Sequence, residues 1–100
     1  MLKKDIIELC LLHLLVQEDK YGYDLLRRLR GSFPNMQESA LYAILRGLCH
    51  EGSSEQYVGT TSNGPTRKYY RITAHGRAKY EELRKQWRTL LDALSELGIQ

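Results

Sequence analysis

Between Glu55 and Glu81 the sequence has no acidic residue, yet Arg67, Lys68, Arg71, Arg77 and Lys79 all fall in that interval. Guanidinium and ammonium groups gathered without counter-charge bind phosphate, the first as a planar fork and the second as a point charge. The same stretch carries the hydroxyls of Thr60, Thr61, Ser62 and Thr66, which bond phosphate oxygens without adding charge. Spread along a chain segment, such groups suit a nucleic-acid backbone. A solvated basic hairpin is the plain alternative, and the neighbouring elements have to decide between them.

Other chemistry finds little support. The chain has no Gly-rich phosphate loop, no G-x-S-x-G elbow and no H-E-x-x-H pattern. His13, His50 and His75 lie on three different expected elements. Cys10 and His13 stand at i, i+3, and Cys49-His50 could approach them, which would make a metal-sensing site. Their helices are apolar and no carboxylate accompanies them, so buried reduced thiols and a surface histidine are the better account. No cofactor and no enzymatic activity are expected.

The elements that position the basic residues follow from periodicity. Asp5 to Glu18 reads as a first helix in which only Glu8 and His13 interrupt the apolar positions from Ile6 to Val16. A helix apolar nearly all round needs cover on more than one side, and a second subunit is one source of it. A second helix opens at Tyr21-Gly22-Tyr23-Asp24 and closes near Arg30-Gly31, with Leu25, Leu26 and Leu29 facing the core. A third spans Glu38 to His50, burying Leu41, Ile44, Leu45 and Leu48. Its other side carries Ser39, Tyr42, Ala43 and Arg46, small and polar enough for close approach to base edges.

Glu55 to Val58 and Arg67 to Ile72 read as strands joined by a Thr60-to-Pro65 turn with Asn63-Gly64 at its centre, a β-hairpin. Alternation puts Tyr70 and Ile72 on its core face, with Tyr69 and Arg71 opposite. Thr73 is placed to cap a last helix from Ala74 to Leu97. In it Tyr80, Leu83, Trp87, Leu90, Leu94 and Leu97 are separated by 3, 4, 3, 4 and 3, an a/d seam. Such a helix extends ~36 Å, longer than a domain this size needs for its own core. The seam therefore calls for a partner helix, and an identical subunit is the simplest one.

The expected fold is mainly α (α+β): a winged helix-turn-helix of three helices plus a two-stranded wing, followed by a long C-terminal dimerisation helix. Residues 1–73 form the DNA-binding part and 74–100 the dimerisation helix, together one compact unit. With 100 residues, 42% apolar and 27% charged, the composition is that of one folded domain. The net charge of +3 is modest, so the basic groups act through clustering. Asp5, Glu8 and His13 break the first apolar run and no small-residue cleavage site follows, so a cytoplasmic protein is expected.

The order of elements resembles the PadR family of transcriptional regulators, in its short class with a single C-terminal helix. The matching residues are Tyr21-Gly22-Tyr23-Asp24, Leu41-Tyr42 with Ile44, Leu45 and Leu48, Glu51-Gly52, and Arg67-Lys68-Tyr69-Tyr70-Arg71-Ile72-Thr73 followed by Gly76. The resemblance implies a homodimeric repressor on a palindromic double-stranded operator, released by a small phenolic or hydrophobic effector. Carried over by position, Ser39, Tyr42 and Arg46 of the third helix and Thr66, Arg67 and Lys68 of the wing would face DNA. Trp87, with Leu83, Leu90 and Leu91, would form an effector slot across the dimer axis.

The chain departs from the family at several points. Ser53 and Ser54 replace two apolar residues, which implies a short or loosely packed first wing strand. Ala40 replaces a threonine, and Gln37 is a weak N-cap. Gly47 weakens the third helix by ~1 kcal/mol relative to Ala. Arg84 and Leu91 replace an aromatic and an acidic residue beside Trp87. A winged helix serving only protein–protein contact is the competing class; it would show apolar side chains where the third helix and wing here are small and basic.

Overall fold

The computed structural model describes residues 2–60 and 64–100. The elements run α1 (Lys3–Gln17), β1 (Lys20–Tyr21), α2 (Gly22–Ser32), α3 (Glu38–His50), β2 (Ser54–Thr60), β3 (Thr66–Ile72) and α4 (Ala74–Glu96). This is the winged helix-turn-helix with a long last helix, and its sheet has a third strand. The Asn63-centred turn between the wing strands lies outside the described residues.

The α1 helix occupies the centre. Ile7, Leu11, Leu12, Leu14 and Leu15 are buried and meet α2, α3, α4 and β3, while Leu9, Cys10 and Val16 are half-buried against the same core. Elements of its own chain thus account for most of its apolar surface, and a second subunit is not needed to explain it. Its polar positions face α4. Buried Glu8 accepts from Lys79 Nζ at 3.1 Å, and the His13 ring shares a 2.6 Å hydrogen bond with the Tyr80 hydroxyl. Lys79 also reaches Glu51 at 2.6 Å. Burial pulls the Lys79 ammonium down, but the bonds and charges of Glu51 and Glu8 outweigh it and hold it above its ordinary value.

Lys20, between the first two expected helices, and Tyr21, expected to open the second, instead form β1. It pairs antiparallel with β3, Lys20 opposite Tyr70 and Tyr21 opposite Tyr69, and gives the sheet order β1-β3-β2. A two-residue strand has no periodicity of its own and exists because the outer edge of β3 is open to pairing. The α2 helix continues past Gly31 to Ser32, and Phe33 supplies the closing N–H to Leu29 O at 2.7 Å. Gly31 is therefore helical and not the left-handed stop. Gly52 is that stop for α3, at φ 86°.

The wing entry differs from expectation. β2 runs seven residues, matched along its length with β3 from Ser54 opposite Ile72 to Thr60 opposite Thr66. Ser53 and Ser54 are buried, at 0% and 2% exposure, instead of loosening the strand. The first turn of α4 lies directly on this backbone. A Cβ on Gly76 would collide with the Ser53 carbonyl oxygen and come within 2.8 Å of Ile72 Cγ1. Thr73 binds the same place: its N–H donates to Ser53 O at 3.2 Å and its hydroxyl donates to Gly52 O at 2.6 Å. That hydroxyl also accepts from Gly76 N at 3.0 Å, the expected cap of α4.

These contacts generate opposite expectations for two neighbours. Gly76→Ala forces an anchored carbonyl to move and should destabilise by ~2 kcal/mol or more. Ser53 Oγ is buried with no hydrogen-bond partner, so Ser53→Ala should be neutral or stabilise by up to ~1 kcal/mol. Thermal melts of both variants separate the two; a Gly76→Ala melt equal to the parent's would show that the crossing is not tight.

Candidate nucleic-acid interface

The α3 helix is held from one side only. Leu41, Leu45 and Leu48 are fully buried, and Ile44 is half-buried. Ser39, Ala40, Ala43, Arg46, Gly47 and His50 are exposed, so the opposite face is small and polar along its length. Gln37, the N-cap residue, makes no side-chain cap hydrogen bond among the described residues, as its residue type implied. Tyr42 sits between the two faces, half-buried, with its ring against the first residue of α2. A Cβ on Gly22 would stand 2.7 Å from Tyr42 Cε1, so the glycine of Tyr-Gly-Tyr makes room for that ring. Burial is the main reason the Tyr42 hydroxyl is pushed above its ordinary pKa.

The sheet presents two unlike faces. Lys20, Ser54, Tyr70 and Ile72 are buried on the inner one. By register and alternation Tyr21, Glu55, Tyr57, Gly59, Arg67, Tyr69 and Arg71 share the outer one. Arg67 and Lys68 therefore leave β3 in opposite directions. Lys68 is exposed on the side of Tyr70 and α3. Arg67 is half-buried, its guanidinium carbon 4.6 Å from the Tyr21 ring centroid. Thr66 is exposed at the start of the strand. A small cleft at the wing base is lined by Tyr21, Gly22, Tyr23, Tyr42, Arg67, Lys68 and Tyr70, so the wing cations, the start of α2 and Tyr42 of α3 come together. Arg46 borders a second shallow cleft with Gly47, His50, Gln56 and Tyr70.

Not every cation of the acid-free stretch is available. Lys79 is held by Glu8 and Glu51, and Arg71 pairs with Glu55 at 3.4 Å. Among the described residues Arg46, Arg67, Lys68 and Arg77 have no carboxylate partner. The basic surface is thus smaller than the residue count implied, and of its uncommitted cations Arg46, Arg67 and Lys68 lie on or beside α3. Reading the sequence alone missed Tyr21 and Gln56 at these clefts, because only the pairing of β1 and β2 with β3 brings them there.

The residues named for the seam and the effector slot separate. Tyr80 and Leu83 are buried in the protomer's own core. Further along, Trp87 is 39% exposed, Leu91 40% and Leu97 77%, while Leu90 and Leu94 are half-buried. Trp87 lines a half-open groove of about 440 Å³ with Leu9, Cys10, His13, Phe33, Tyr80 and Arg84. Leu90 lines a different groove, with Glu82, Lys85, Gln86 and Thr89. Among the described residues of a single chain Trp87 and Leu90 therefore line separate grooves. Burial raises the Cys10 thiol above its usual pKa. Among the described residues no group of three or more His, Cys, Asp or Glu side chains is arranged to hold a metal ion. No helix among them is long and apolar enough to cross a membrane.

Comparison with known proteins agrees with this architecture. The model of the transcriptional regulator PadR-like family matches residues 11–82. A protein of Lysinibacillus sphaericus without assigned function is 36% identical over 94 residues, covering 87% of this chain and 86% of its own. The crystal structure of a PadR-like transcriptional regulator from Bacillus cereus superposes with a TM-score of 0.85 at 32% identity, covering 92% of this chain and 90% of that one. Bacillus subtilis PadR, solved in complex with operator DNA, shares the fold at TM-score 0.66 and 22% identity, over 77% of this chain and 45% of that one. A family match running from the first helix into the last, on a winged helix-turn-helix with uncommitted cations beside an exposed polar face of α3, places the chain in the PadR-like family as a DNA-binding transcriptional regulator and not an enzyme.

Proposed function

We propose that the protein acts as a homodimeric repressor on a palindromic operator and that a small hydrophobic effector releases it. The observation that carries the reading is the coincidence of two uncovered surfaces. One is the polar face of α3 flanked by Arg46, Arg67 and Lys68, which have no carboxylate partner among the described residues. The other is the apolar far half of α4, at Trp87, Leu90, Leu91, Leu94 and Leu97, all exposed or half-buried. The molecule measures 53 × 29 × 21 Å, elongated for 100 residues. An antiparallel copy of the same helix would bury those side chains and set two recognition helices at a fixed separation. Residues 1–73 then serve as the reader and 74–100 as the arm that pairs it.

Three measurements test this. Changing Leu90 and Leu94 together to Asp places charge in the seam and should give monomers or aggregates by light scattering. A well-folded dimer after both changes would remove the far half of α4 from the interface.

On DNA, two α3 helices about 34 Å apart require an inverted repeat. Ser39, Tyr42 and Arg46 would face the major groove and Thr66, Arg67 and Lys68 the flanking backbone. Changing Arg67 and Lys68 to Ala removes up to four phosphate contacts per dimer. The slope of log K against log salt should become shallower by up to ~3.6. Arg46→Ala should instead relax preference at one position per half-site by ~1–3 kcal/mol. An unchanged salt slope would mean that the wing stays off the DNA.

For the effector, Trp87 is the only tryptophan, so its emission reports directly on its groove. In the dimer its neighbours would include Leu83, Leu90 and Leu91 of either copy. Planar hydrophobic compounds should quench it and weaken DNA binding together, since a ligand acts only by preferring one spacing of the recognition helices. Trp87→Ala should abolish both effects. Release of DNA with Trp87 emission unchanged would move the effector site elsewhere.

A further inference from the structure

We propose that Tyr21 is a positioning residue for DNA binding: its ring seats the Arg67 guanidinium, and a row of tyrosines across the sheet fixes that seat against the junction of α1 and α2. The proposal rests on the reading that the wing meets the DNA backbone.

The row follows from register. Tyr21, Tyr69 and Tyr57 stand opposite one another on β1, β3 and β2, on the outer face. The Tyr21 and Tyr69 rings meet edge-on at 5.9 Å, and Tyr69 and Tyr57 stack at 5.6 Å with 18° between planes. Gly59 leaves space for this, since a Cβ there would stand 2.6 Å from the Tyr69 ring. The Tyr57 hydroxyl donates to Asp19 Oδ2 at 2.6 Å, so the far end of the row is tied back to the segment that begins β1.

An arginine closes each end. Arg71 lies 4.8 Å over Tyr57 and is paired with Glu55. Arg67 lies over Tyr21, and among the described residues it has no carboxylate partner. Its Nε is shielded from solvent and has no hydrogen-bond partner among the described residues. A guanidinium accepts that loss only in exchange for the aromatic face beneath it, and its exposed part lies in its other atoms. A preset guanidinium loses less freedom on meeting a phosphate than a mobile one. Of the two arginines, only Arg67 is both preset and free of a counter-charge.

A double-mutant cycle on a mixed-sequence DNA duplex, read by fluorescence anisotropy at several salt concentrations, tests the proposal. Tyr21→Leu should weaken binding up to ~10-fold and flatten the salt slope. Tyr21→Phe keeps the ring and should match the parent. In an Arg67→Ala background, Tyr21→Leu should add nothing. If both changes weaken binding independently, Tyr21 acts on its own and the positioning role is overturned while the wing contact stands. If Arg67→Ala leaves affinity and slope unchanged, the wing contact itself fails and the proposal falls with it. Should Tyr21→Leu not fold, proton NMR of the unmodified protein decides. Upfield-shifted Arg67 side-chain protons and a slowly exchanging Nε–H support the seat, and shifts of a free arginine with fast exchange overturn it.

Discussion

The first turn of α4 lies directly on the backbone at the start of the wing, and the rest of the molecule is arranged around that contact. Gly76 removes the only atom that would hold the two apart. Thr73 then links four segments: its N–H reaches Ser53 O, its hydroxyl reaches Gly52 O, and the same oxygen caps Gly76 N. The end of α3, the entry of β2, the exit of β3 and the start of α4 therefore meet within a few residues. Packed elements with no slack between them transmit displacement instead of absorbing it. Any shift of α4 against its own body has to be taken up by α3 and the wing, which is the mechanical requirement of the effector reading.

Charge pairing divides the cations by task. Lys79 is drawn inward by a buried glutamate on α1 and a second one at the end of α3, where it ties α4 to both. Breaking a pair of this kind leaves a buried charge uncompensated, so its role is to fix the approach of α4. Arg71 is neutralised by its cross-strand neighbour Glu55. What remains beside α3 is Arg46, Arg67 and Lys68, on two elements that the inner sheet face and the buried side of α3 hold together. The phosphate-binding potential is set by which cations lack partners, and not by the net charge of +3.

The α1 helix shows how one kind of pattern admits two explanations. Its near-continuous apolar positions are satisfied by four surrounding elements of the same chain. Its exceptions, Glu8 and His13, are the points where α4 lies across it. The same reasoning applied to α4 gives a different result, because that helix outruns the body it packs on. Tyr80 and Leu83 reach α1 and are buried, whereas Leu91 and Leu97, further along, stay exposed.

The helices, the wing strands, the cap at Thr73 and the buried faces of α2 and α3 were legible in the sequence. Each rests on local periodicity or on a side chain acting within its own turn. The exposed polar face of α3 was legible for the same reason, since Ser39, Ala43 and Arg46 lie opposite Leu41, Leu45 and Leu48 at helical spacing. Three features were decided only by tertiary structure. The strand β1 has two residues and forms because β3 offers it an edge. Ser53 and Ser54 read as a weak strand entry until α4 is laid over the Ser53 backbone and both are found buried. Tyr21 and Arg67, far apart in the chain, meet because pairing across β3 brings them together. Contacts between distant segments leave no period in a sequence, so the helices and strands could be read from it but not the seat of the wing arginine.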